Sequence, residues 1–127
     1  MLASKLSDRQ YYDYIRNNEL EETYNNDVVM LKIEPDGTMI TENISVNSLF
    51  HVMNYPCATN TVFDNVGIMY DDDPSDFAEP NHFSAKLQRS QCYDNGPVYL
   101  FATDFDDWYG VHDLDDATIS KIIDLLV

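Results

Sequence analysis

The residues of this chain most able to do chemistry are its carboxylates, which come in two dense runs. Between Thr61 and Pro80 stand Asp64, Asp71, Asp72, Asp73, Asp76 and Glu79 with no base among them. Between Phe101 and Asp116 stand Asp104, Asp106, Asp107, Asp113, Asp115 and Asp116, again with no base. Such runs can ligate a hard cation, hold a catalytic proton, or stand in for the phosphates of a nucleic acid. Cation binding demands a pattern. Asp71, Asp73 and Ser75 begin like a calcium loop, but Asp76 fills the sixth position, where glycine makes the turn, and His82 the twelfth, where a bidentate Glu is needed. The run Asp104, Asp106, Trp108 fails at its fifth position. Paired carboxylates arise here from composition alone, so their pairing does not single out a catalytic dyad.

The other reactive side chains form no machinery. His51, His82 and His112 do not stand four apart, and no His-Glu-x-x-His is present, so no zinc site is expected. His82-Phe-Ser84 has the shape of half a two-histidine phosphoesterase site, but His51 is followed by Val-Met and His112 by Asp-Leu. Cys57 and Cys92 have no basic neighbour to favour a thiolate, and they read as buried thiols in a reducing compartment. With four glycines there is no phosphate-cradling loop and no Gly-x-Ser-x-Gly. The expectation is a protein with no catalytic residue, no metal and no cofactor. A small enzyme working through His82 remains an alternative class.

Charge excludes more. The chain has 23 Asp and Glu against 7 Lys and Arg, a net charge of −16 over 127 residues. The bases Lys5, Arg9, Arg16, Lys32, Lys86, Arg89 and Lys121 are scattered, so the electrostatic part of direct nucleic-acid binding is repulsive. Anionic lipid is repelled likewise. No apolar run reaches the length of a membrane span, and the N-terminus lacks the apolar core of a signal peptide. A cytoplasmic protein is expected. The inverse argument points to a partner. Carboxylates at i and i+2 of a strand lie roughly 6–7 Å apart, and at i and i+4 of a helix about 5–6 Å. Both spacings resemble successive charges along a nucleic-acid strand, so an acidic face can occupy the basic groove of a protein that binds one. Asp104 and Asp106 stand two apart and Asp113 and Asp116 three apart, close to these spacings, and Asp71, Asp73 and Asp76 more loosely. Phe105, Trp108, Tyr109 and Tyr70 sit among these acids, and an aromatic anchor inside a charged rim suits a protein interface. The expected contact residues are therefore Asp104, Asp106, Asp107, Trp108, Tyr109, Asp113 and Asp116, with Asp71, Asp72, Asp73 and Asp76. The plainer account is that Trp108 and Tyr109 belong to the core and that the acids keep the protein soluble. Exposed aromatics there equally allow a homodimer.

Elements must position these residues, and the composition can build them. Hydrophobic residues make up 44% of the chain, including 9 Tyr, 6 Phe and 1 Trp, which no disordered acidic tail carries. Ser7 with Gln10 reads as a capping box for a helix over about 8–22. Asp27 to Glu34 reads as a strand. Pro35-Asp36-Gly37 reads as a turn, with proline presetting φ and glycine supplying its positive value. Thr38 to Ile44 returns. Ser45 or Asn47 caps a short helix that Tyr55-Pro56 stops. Thr61 to Tyr70 reads as one strand or two pieces broken near Asp64-Asn65, Asp71 to Pro80 as a loop, and Asn81 to Gln91 as a short helix or irregular chain. Val98 to Thr103 is a buried strand, and Asp104 to Gly110 a connector. Asp115 caps a last helix whose apolar face is Ile119, Ile122, Ile123, Leu125 and Leu126. The expectation is one α+β domain over 1–127, with its α+β core from about 27. It would hold a mainly antiparallel sheet of about four strands with three or four helices.

The order of these elements resembles a family of small uncharacterised proteins encoded by phages and other mobile elements. The match rests on Glu34-Pro-Asp-Gly37, the short helix Ser48 to Asn54, Pro80-Asn81, and Leu114-Asp-Asp-Ala117 at the closing helix. It covers roughly Asp27 to Val127. The chain departs from the family at Met53-Asn54, near where a glycine pair tends to stand. That family has no assigned activity, so the resemblance implies a setting and no catalytic residue. By size and charge the chain is also similar to DNA-mimic antirestriction and anti-CRISPR inhibitors. The expected role is to block the basic nucleic-acid-binding surface of a bacterial defence nuclease, either a CRISPR effector or a restriction enzyme. An immunity protein that neutralises a cationic toxin nuclease shares these electrostatics and is the alternative.

Overall fold

The hairpin that opens the described chain shows how the sheet is built. The computed structural model describes residues 26–61, 65–88, 94–104 and 107–127, with the backbone alone at 60, 104 and 107–109. Strand β1 (Val28–Ile33) pairs antiparallel with β2 (Met39–Ile44), from Val28 opposite Ile44 to Ile33 opposite Met39. The turn between them is the expected one. Gly37 has φ +93°, and the Asp36 carboxylate accepts the Thr38 N–H at 2.9 Å. Ser45 then caps α1 (Val46–Val52), its Oγ accepting the Ser48 N–H at 3.2 Å.

The rest of the sheet is β3 (Pro56–Asn60), β4 (Val66–Asp71), β7 (Val98–Asp104) and β8 (Asp107–His112). The two-residue pieces β5 (Pro80–Asn81) and β6 (Asp94–Asn95) form a separate ribbon flanking α2 (His82–Gln88). Helix α3 (Asp116–Leu126) closes the chain, capped by Asp115. The strand order is β2-β1-β7-β4-β3, with β8 also on β7, and every pairing is antiparallel.

Alternation along the strands sends side chains to two faces. Met30, Met69, Tyr99 and Phe101 pack with Val46, Leu49 and Met53 of α1 and its flank. Leu31, Ile33, Ile68, Val98 and Leu100 pack with Leu87 of α2 and Ile122 and Leu126 of α3. The sheet therefore lies between α1 on one face and α2 with α3 on the other.

The expected class, mixed helices with a mainly antiparallel sheet, is what the structure has, with three helices among the described residues. The strand count is corrected: among the described residues the sheet has six strands, not about four. One addition is β3, whose Pro56 was read only as a helix stop. The other is β8, which occupies most of the expected connector Asp104 to Gly110 and folds back on β7. At the expected break within Thr61 to Tyr70, Asn65 takes φ 60° just before β4, a conformation asparagine tolerates. The expected helix over 8–22 lies outside the described residues.

Candidate functional site

The loop between β4 and β5 is held by its first carboxylate. Asp71 Oδ1 accepts the N–H groups of Tyr55 (2.9 Å) and Asp73 (3.0 Å), and Oδ2 accepts that of Asn54 (2.9 Å). The Asn54 side chain donates to the Asp73 carbonyl at 2.9 Å, and the Asp72 N–H donates to the Tyr55 carbonyl at 2.8 Å. Asp71 therefore fastens the loop to the segment between α1 and β3. Its ligand-like position in the calcium pattern is filled by backbone amides.

The far end of the loop is fastened by buried polar groups. Asn81, fully buried, donates from Nδ2 to the carbonyls of Ile33 and Gly96, both at 3.0 Å, while its Oδ1 has no partner among the described residues. Ser84 Oγ donates to the Asn81 carbonyl (2.7 Å) and accepts the Asp94 N–H (2.9 Å). Gln88 Nε2 donates to Asp94 Oδ2 at 2.9 Å. Burial holds the Asp94 carboxyl above its ordinary pKa, the Gln88 and Ser84 hydrogen bonds oppose this, and the nearby charge of Asp72 adds to it. Ser84 of the His82-Phe-Ser84 half-motif is thus spent inside the fold, while His82 is exposed at the start of α2.

Between these anchors the loop presents Asp72, Asp73, Asp76 and Glu79, all exposed, on either side of Phe77 in sequence, a residue 94% exposed. Phe77 and Glu79 were not among the expected contact residues. The available signal was that Phe77 has no apolar neighbour at strand or helix spacing in Asp76-Phe-Ala-Glu79. Tyr70, expected among the acids, is instead half-buried against the core beneath α2 and α3.

Of the other expected acids, Asp104 and Asp107 lie at the opposite end of the sheet. Asp71 pairs with Pro56, and Met69 pairs with Tyr99, so the loop springs from the Val98 end of β7. Asp104 pairs with Asp107 at its far end, about 20 Å away at the rise of a strand. Phe105 and Asp106 lie outside the described residues, as do the side chains of Asp104, Asp107, Trp108 and Tyr109. Asp113 is exposed, and its Oδ1 accepts the Val29 N–H at 2.7 Å, tying the end of β8 to β1. Asp116 is exposed in the first turn of α3. Hydrogen bonds from the side chain and backbone N–H of Thr118 hold the Asp115 carboxyl below its ordinary pKa. A cleft of about 230 Å3 opens here between Asn26–Val28 and Gly110–Asp113, with His112 and Asp27 on its walls. Among the described residues, the contact residues expected as one set are therefore divided, with the loop acids at the Val98 end of β7 and Asp104 and Asp107 at its other end.

Among the described residues no three His, Cys, Asp or Glu side chains converge as a metal site, and no helix is long and apolar enough to cross a membrane. Cys57 is buried on β3, and Cys92 lies outside the described residues. Comparison with protein-family models, curated proteins and solved structures gave no match.

Proposed function

We propose that this protein is a non-enzymatic inhibitor that docks its acidic surface onto the basic nucleic-acid-binding groove of a bacterial defence nuclease, of the CRISPR-effector or restriction type. The observation that carries the reading is the anchored loop. Exposed Asp72, Asp73, Asp76 and Glu79 flank the exposed Phe77 along the loop, and both ends of the segment are tied down by hydrogen bonds. A pre-ordered loop loses little conformational entropy on binding. Its carboxylates complement Lys and Arg in a groove, and its ring supplies the apolar anchor that charge alone lacks. The resemblance to mobile-element proteins and the net charge of −16 support the same reading.

The test is inhibition of nucleic-acid cleavage by purified CRISPR effectors and restriction nucleases. The triple charge reversal Asp72→Lys, Asp73→Lys, Asp76→Lys and, separately, Phe77→Ser are each compared with Asp104→Lys, Asp106→Lys, Asp107→Lys. Loss of inhibition in the first two with retained folding supports the loop. Loss in the third alone moves the contact to the β7–β8 end. Inhibition untouched by any of them sinks the acidic-contact reading.

A further inference from the structure

We propose that the β2 edge of the sheet is a second binding surface, which accepts an extended basic segment of a partner protein as an added strand. It is separate from the acidic loop, and its test does not depend on that loop's role. Among the described residues β2 pairs with β1 alone. Its register fixes which backbone groups are left over. The Glu34 N–H donates to the Thr38 carbonyl at 2.8 Å, so the pair 34–38 is a hydrogen-bonded one. Antiparallel pairs alternate, so Ile40, Glu42 and Ile44 turn their N–H and C=O groups toward β1, while Met39, Thr41 and Asn43 turn theirs outward. The far side of β1 agrees. Val29, opposite Asn43, uses its N–H on Asp113 and its carbonyl on the Leu114 N–H, both away from β2.

Beyond the single charge of Glu42, nothing in β2 blunts this edge. The strand is six residues, Met-Ile-Thr-Glu-Asn-Ile, with no proline, glycine or lysine, and its pairing to β1 is unbroken by a bulge. These are the devices by which edge strands discourage further pairing. The opposite edge, β3, opens on Pro56, which has no N–H to offer. Side-chain chemistry selects the occupant. Ile40 and Glu42 share the α1 face of the sheet, and Ile40 is 43% exposed. Glu42 lies 3.9 Å from the Lys32 ammonium, which Glu34 holds more closely at 2.9 Å, so its carboxylate is weakly compensated. A strand laid beside β2 would set one side chain against Ile40 and another, two positions away, against Glu42. An apolar residue and a Lys or Arg at that spacing fit, with polar residues opposite Thr41 and Asn43. A second copy of this chain fits less well, since pairing would oppose two molecules of charge −16.

The probe is a fluorescent, end-blocked peptide that alternates threonine with valine or lysine. An isomer of equal charge with proline at its centre serves as control. Anisotropy at physiological salt should show binding of the first peptide and not of the control, with amide-exchange protection at Met39, Thr41 and Asn43. Thr41→Pro removes an outward N–H that β1 does not use, a substitution an edge strand tolerates. It should weaken binding about tenfold, and Glu42→Lys should also weaken it. Equal binding of both peptides, or unchanged binding by a folded Thr41→Pro variant, overturns the proposal. If Thr41→Pro unfolds, the Glu42→Lys titration and the wild-type exchange pattern decide, and an absence of protection at Thr41 and Asn43 is fatal. A wild-type dimer in sedimentation that Thr41→Pro dissociates, with no peptide binding, assigns the edge to a second copy and also overturns it.

Discussion

Asp71 and Asp94 show how differently two carboxylates of one acidic chain are used. Asp71 accepts three backbone N–H groups with two oxygens, and charge-assisted bonds of this kind are the stronger ones. Asp71→Ala should destabilise by about 2 kcal/mol in denaturant unfolding. Asp71→Asn should also cost stability, because an amide that keeps an oxygen toward Tyr55 and Asp73 turns its NH2 against the Asn54 N–H. Asp94 works against the fold. Its folded pKa is raised, chiefly by burial, so the folded state holds the proton more tightly than the unfolded chain does. That contribution to stability is full below the ordinary aspartate pKa and is lost as pH rises through the folded value. Asp94→Asn keeps an acceptor for Gln88 and removes the buried charge. Its melting temperature should exceed wild type at pH 7, and the difference should vanish in acid. A variant that is less stable than wild type at neutral pH would show that the charge itself is needed. None of this division was legible in the sequence, where one Asp in a run looks like the next; hydrogen bonds reaching from Asp71 to Asn54 and Tyr55 decide it.

At the scale of elements, the turns and caps were readable because their chemistry is local. Pro35-Asp36-Gly37, the Ser45 cap and the Asp115 cap each follow from neighbours in sequence. The strands β3 and β8 were not, because each is defined by a distant partner. Pro56–Asn60 has little β-branched character and becomes a strand only beside β4. The aromatic, acidic run ending in His112 becomes one by folding back on β7. The acidic residues were legible as a class, but their separation to two ends depends on the β4–β7 register, which no local pattern encodes. That register also sets a close contact. Gly67 lies directly opposite Phe101, and a Cβ on Gly67 would stand 2.6 Å from Phe101 Cζ. The ring lies over the glycine in the face packed by α1. Gly67→Ala should therefore destabilise by about 1–3 kcal/mol through overpacking. The cause is checked by a double-mutant cycle: in a Phe101→Ala background the alanine at position 67 should cost much less. An equal cost in both backgrounds would place the strain elsewhere.

At the scale of the whole molecule, one property acts on the fold and on the proposed function with opposite signs. Some carboxylates are committed to the structure, among them Asp36, Asp71, Asp113 and Asp115 on backbone N–H groups. Others, such as Asp72, Asp73, Asp76 and Glu79, project from the loop and add to the net charge of −16. Self-repulsion at that charge weakens the folded state, and salt relieves it as the screening length falls from about 30 Å at 0.01 M to about 10 Å at 0.1 M. The melting temperature should therefore rise with sodium chloride over this range. A contact made by the same carboxylates with a basic groove should weaken over it, mostly through slower association. The loop reversal Asp72→Lys, Asp73→Lys, Asp76→Lys should flatten both dependences, because it removes repulsion from the fold and attraction from the interface together. Melting curves and inhibition titrations on the same samples across the same salt series measure the two slopes. Slopes of opposite sign, both reduced in the loop variant, are the outcome expected of an acidic surface that is tolerated by the fold because it serves a contact. A melting temperature that rises with salt while inhibition stays constant would leave the charge to solubility and put the contact on uncharged surface.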